Sequence, residues 1–142
     1  MFNRIGGVFL IAMAVLIAVH TVIEPLYHTS ETGQPYSQVW EVLNPLMALA
    51  LLLGIRTAYV NKRAAAGDGV TVTRAYLVSN TLFYGFLFVG IMFLWNWFTL
   101  LSPGYSAAGS DTNSLVWILI DAALPLLMGA MGSCMLTEAE AA

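Results

Sequence analysis

Apolar residues in this chain run in long blocks and do not alternate with polar ones. Four stretches, about residues 5–24, 39–60, 76–101 and 115–136, are apolar at nearly every position. Each has the roughly 17–25 residues that a helix needs to cross bilayer hydrocarbon. The segments between them, "HTSETGQPYSQ", "NKRAAAGDGVTVTR" and "SPGYSAAGSDTNS", are rich in turn-forming residues. Ser114 or Asn113 is placed to cap the fourth helix, and the tail "TEAEAA" reads as exposed and acidic. Connections this short join antiparallel neighbours. The pattern predicts an all-α integral membrane protein, a four-transmembrane-helix antiparallel bundle forming one domain over residues 1–142.

Composition strengthens that reading. Of 142 residues, 59% are hydrophobic and 9% charged, against roughly 25% charged in a soluble globular domain. The mean hydropathy is +0.79. Arg4 followed by an apolar run imitates a secretory signal, but no small-x-small cleavage site follows Val19, so the first run is read as a retained span. The single cysteine, Cys134, excludes an internal disulfide and any multi-cysteine metal site.

Charge fixes an expected orientation. All five basic residues, Arg4, Arg56, Lys62, Arg63 and Arg74, fall at the start of span one or around the second loop. The positive-inside rule then puts both termini in the cytoplasm, in a bacterial inner membrane or its equivalent. Trp40, Trp95, Trp97 and Trp117 fall near the outer ends of their spans in the same frame.

Within that frame the polar residues share one depth. In "VHTVIEPLYH", His20, Glu24 and His28 recur every fourth residue and line one helical stripe; Pro25 is expected to leave His28 in the loop. Glu41 and Asn44 open span two, Asn96 lies near the outer end of span three, and Asp121 sits in span four inside "WILIDAALPLL". An ionisable group inside a span costs about 2.5–3.5 kcal/mol on insertion scales, so it faces the bundle interior and marks a functional site by default. Headgroup-level solvation is the plainer reading for Glu41, and close helix packing for the small-residue pairs Ala14/Ala18, Ala50/Gly54 and Gly129/Ser133. Prolines 25, 45 and 125 add helix irregularity at the same depth.

A His–Glu pair four residues apart is a proton-handling unit. Metal binding is the rival use, but the spacing of His20, Glu24, Glu41 and Asp121 matches no zinc signature. No cofactor is expected. Haem lacks a second histidine on another helix, and the only lysine, Lys62, falls in the second loop, out of reach of a retinal Schiff base.

Four spans with "HTVIE" (His20–Glu24), "WEVLNPLMAL" in the second span and "LVSNTLFYG" (Leu77–Gly85) in the third resemble the EXPERA/emopamil-binding protein superfamily of sterol isomerases and sigma-2-receptor-like proteins. The resemblance implies acid–base chemistry on an alkene inside the membrane. It makes His20 and Glu24 the acid–base pair and Glu41 the second carboxylate. Asp121 falls where the isomerases have asparagine. The family's tryptophan one turn later is Leu124 here, so Trp117, Trp95 or Trp97 supplies the aromatic face for a carbocation.

Three functions are consistent with these residues. The first is a small membrane enzyme, an isomerase or cyclase, acting on an isoprenoid-like or polyene substrate in an outer-leaflet pocket. Its catalytic residues are His20, Glu24, Glu41 and Asp121, and Asn44, Trp95, Asn96 and Trp117 bind substrate. The second is a non-catalytic accessory subunit or scaffold of a homo-oligomer or larger membrane complex. The third, a transporter or ion-binding protein, is disfavoured by the apolar inner half of the spans. The expected partners are the lipid bilayer and a hydrophobic small molecule, with no nucleic acid.

Overall fold

The computed structural model describes residues 2–31, 35–67, 72–102, 104–105 and 108–141. Four helices account for most of them: α1 (Phe2–Tyr27), α2 (Val39–Ala65), α3 (Arg74–Leu101) and α4 (Ser110–Ala141). Each is long and apolar enough to cross a membrane.

The helices pack as an antiparallel bundle in which each touches its chain neighbours and α4 closes against α1. At one end Asn3 of α1 donates to Glu138 of α4; at the other the Tyr36 hydroxyl lies 3.2 Å from Ser114 Oγ. The first is here called the terminal end, since both termini lie there, and the second the distal end. Arg4, Arg56, Lys62, Arg63 and Arg74 all lie in the terminal half.

The buried positions follow helical spacing. In α1 they are Gly6, Gly7, Leu10, Met13, Ala14, Ile17 and His20, steps of three and four that keep one face inward. Five buried methionines, 13, 47, 128, 131 and 135, fill the space between the helices, where a flexible thioether adapts to irregular gaps. The outward faces carry Leu16, Leu52, Phe88, Ile91, Leu119 and Leu126, all exposed. An apolar core inside an apolar shell suits lipid and not water.

The closest helix contact is α1 against α4. A Cβ on Gly132 would come within 2.8 Å of Gly7 O, and one on Gly7 within 2.9 Å of Gly132 O. Backbone meets backbone there, and only glycine leaves the room. Of the small-residue pairs expected from sequence, Gly129 does approach Ala14 on the facing helix, but at an ordinary distance.

Three expectations need correction. The fourth helix starts at Ser110, so neither Asn113 nor Ser114 caps it; Ser114 Oγ bonds back to Ser110 O within the first turn. The second helix runs on to Ala65, which places Lys62 in its last turn instead of a loop, with Nζ 3.0 Å from the Tyr84 hydroxyl. The apolar run ends before the helix does because "NKRAAA" has good helix formers. The acidic tail is likewise helical as far as Ala141.

Candidate functional site

The stripe on α1 continues the buried face past the apolar core. His20 follows Ile17 at a buried position and Glu24 comes one turn later. Pro25 lies inside α1, which ends at Tyr27, and His28 lies just beyond it. The two α1 groups do not pair directly. Ser37, before α2, bridges them: its backbone N–H donates to Glu24 Oε1 at 2.8 Å, and its Oγ lies 3.2 Å from His20 Nε2. Trp40 Nε1 donates to the other oxygen, Glu24 Oε2, at 2.8 Å. The Trp40 ring also packs on His20 with centroids 4.7 Å apart, and Tyr27 donates to Ser37 Oγ. His20 and Glu24 thus clasp the start of α2.

Beside this clasp is a cavity of about 210 Å³ at the distal end. Thr21, Glu24 and Pro25 line it from α1, Trp40 and Asn44 from α2, and Ser114, Trp117, Ile118 and Asp121 from α4; Tyr36 and Leu100 complete the wall. Three of its polar atoms are buried without a hydrogen-bond partner among the described residues: Asp121 Oδ1, Asn44 Oδ1 and Trp117 Nε1. Two acceptors and one donor without partners therefore belong to residues that line one space. Buried polar atoms are almost always satisfied, so a group of three at one cavity needs an explanation.

The prolines reinforce this. Pro25 and Pro125 deny an amide donor to the carbonyls of Thr21 and Asp121, four residues earlier, and both of those residues line the cavity. Trp117 is held between Tyr36 and Phe93, at centroid distances of 6.5 and 5.9 Å. Pro25 and Ile118 are exposed on the outer face of the bundle, so the cavity reaches that face between α1 and α4. Val22, Leu26, Leu115 and Leu119, close in sequence to these wall residues, are exposed as well.

A second space of about 460 Å³ adjoins it and shares Tyr36, Trp40, Asn44 and Leu100 with it. Glu41 and Trp97 line this second space.

Of the eight residues expected from sequence, Glu24, Asn44, Trp117 and Asp121 line the main cavity. Glu41 is exposed and lines the adjoining one. His20 is buried behind Trp40 and does not line either space. Asn96 is buried and donates to Asn113 O, and Trp95 is exposed, away from both spaces. Sequence reasoning missed Tyr36, Ser37 and Trp40 as site residues. The one available signal was their position, immediately before and at the start of the second apolar run.

Among the described residues no group of three or more His, Cys, Asp or Glu side chains is arranged to hold a metal ion. Comparisons with protein-family models, with curated proteins and with solved structures find no match. The similarity to the EXPERA superfamily therefore rests on the quoted motifs alone.

Proposed function

We propose that this chain is a membrane-embedded enzyme of the isomerase or cyclase type, acting on a hydrophobic isoprenoid-like or polyene molecule. In this reading the bundle spans the membrane with both termini in the cytoplasm, as its basic terminal end favours, and the cavity lies in the outer leaflet. Active C-terminal fusions of a reporter that works only in the cytoplasm are the expected result; activity confined to an export-dependent reporter would reverse the frame.

The observation that carries the chemistry is the set of unpartnered polar atoms on residues that line the cavity, Asp121 among them. Glu24 has a donor on each oxygen, whereas no described group bonds to Asp121 Oδ1, and in this reading that carboxyl is the one that exchanges a proton with the ligand. In the proposed step the Asp121 carboxyl protonates one alkene carbon. The resulting cation lies against Trp117 and near Glu24. The carboxylate then removes a proton from a neighbouring carbon, which shifts the double bond and restores Asp121. One proton enters and one leaves, so no co-reactant is consumed. If an internal alkene adds to the cation first, a ring forms and the positive charge moves to a new carbon. Loss of a proton from the carbon beside it to the Asp121 carboxylate then gives a neutral ring and restores the acid.

Hydrophobic tertiary amines, protonated at neutral pH, imitate such a cation and test the reading. At one hundred times its dissociation constant such an amine is expected to stabilise the wild type by about 2.7 kcal/mol. Unfolding in mild detergent measures the effect, and Asp121→Asn is expected to lose most of it. A well-folded wild type that no amine stabilises would sink the proposal and favour an accessory subunit.

A further inference from the structure

A third space lies at the opposite end of the bundle from the proposed active site. It has a volume of about 310 Å³ where the end of α2, the start of α3 and the end of α4 meet. Asn61, Arg74, Ser79 and Glu138 line it together with Leu82 and Met131. Its chemistry is graded. Arg74 opens α3 and Glu138 lies in the last turns of α4, both at the terminal rim. Leu82 and Met131 lie two turns further into the bundle and are buried in its core. Val78, another wall residue, is also exposed on the outer face beside exposed Leu77, so the space is continuous with the apolar surface of α3.

The charges are as informative as the shape. One guanidinium and one carboxylate face the same small volume. Glu138 is held in place by amide donors from two other helices, Asn3 Nδ2 to Oε2 at 3.4 Å and Asn61 Nδ2 to Oε1 at 3.3 Å. A purely anionic headgroup would be drawn to Arg74 and repelled by Glu138. A zwitterion carrying a phosphodiester and a primary ammonium matches both.

We infer that this space is a binding site for a phospholipid with an ethanolamine-type headgroup. Arg74 and the Ser79 hydroxyl take the phosphate, Glu138 takes the ammonium, and an acyl chain descends along Val78 and Leu77. The inference rests on the bundle being membrane-spanning and is independent of the chemistry at Asp121. Such a lipid would tie α2, α3 and α4 together at the end where the space parts them.

The test is thermal unfolding of the full chain in mild detergent. The additions are phosphatidylethanolamine, phosphatidylglycerol with the same acyl chains, or soluble phosphoethanolamine. Phosphatidylethanolamine is expected to raise the wild-type midpoint by about 3 °C or more, and phosphatidylglycerol by clearly less. Arg74→Gln should abolish the response to both lipids. Glu138→Gln should remove the preference between them. Ser79→Leu, which fills the space without touching either charge, should abolish the response and serves if Arg74→Gln does not fold. Asp121→Asn should respond like the wild type. Equal stabilisation by the two lipids, or a response that survives both Arg74→Gln and Ser79→Leu, would overturn the site. So would loss of the response in Asp121→Asn, which would move the lipid to the distal cavity. Stabilisation by phosphoethanolamine equal to that by the lipid would replace the lipid with a free headgroup ligand and overturn the assignment.

Discussion

Asp121→Leu is expected to give a protein that is more stable than the wild type and has lost at least about 100-fold in activity, the lower bound for removing a general acid–base group. Asp121 is 8% exposed, and its Oδ1 has no partner among the described residues. Leaving a buried polar atom unmatched costs about 1–3 kcal/mol. Leucine, of similar length and beside an open space, removes that cost without overpacking. Glu24→Leu should do the reverse. It strips the acceptors from Ser37 N and Trp40 Nε1, leaves two donors unpaired, and should lower stability by about 2–4 kcal/mol. Unfolding midpoints of the two variants in the same detergent decide the matter. If both fall together, Asp121 is a structural residue, and the proposed proton transfer loses its main support.

That contrast was only half legible in the sequence. Charge scarcity pointed to both carboxylates, and a four-residue period put His20 and Glu24 on one face. What separates their roles is the company each keeps. Glu24 is bonded by Ser37 and Trp40, which lie 13 and 16 residues further along the chain, a separation that no periodicity bridges. Asp121 differs because nothing among the described residues reaches its Oδ1, and the lack of a partner leaves no mark on a sequence. The helices themselves were legible because long apolar runs have a strong signature. Their ends were not, since "NKRAA" and "SDTN" are helical without being long apolar runs.

Gly132→Ala and Gly129→Ala, less than one turn apart on α4, are expected to differ in sign. A methyl at 129 meets only Ala14 Cβ at 4.0 Å, an ordinary contact. Alanine's better helix propensity should therefore make this variant neutral to about 1 kcal/mol more stable. A methyl at 132 meets the Gly7 carbonyl oxygen at 2.8 Å and Ile11 Cγ1 at 2.8 Å. Backbone cannot give way as a side-chain tip does, so α1 and α4 must part, at a cost of about 1–3 kcal/mol. The consequence extends beyond stability. Glu24 and Asp121 line the cavity from these same two helices, so parting α1 from α4 at Gly7 and Gly132 is expected to change their separation at the distal end. Gly132→Ala is therefore also expected to weaken tertiary-amine binding, although it lies in the half of α4 remote from the cavity, whereas Gly129→Ala should leave it unchanged. Amine titrations followed by thermal unfolding check both. Undiminished binding in a destabilised Gly132→Ala protein would show that the clasp of Glu24 on Ser37 and Trp40 holds the cavity's shape without help from the crossing.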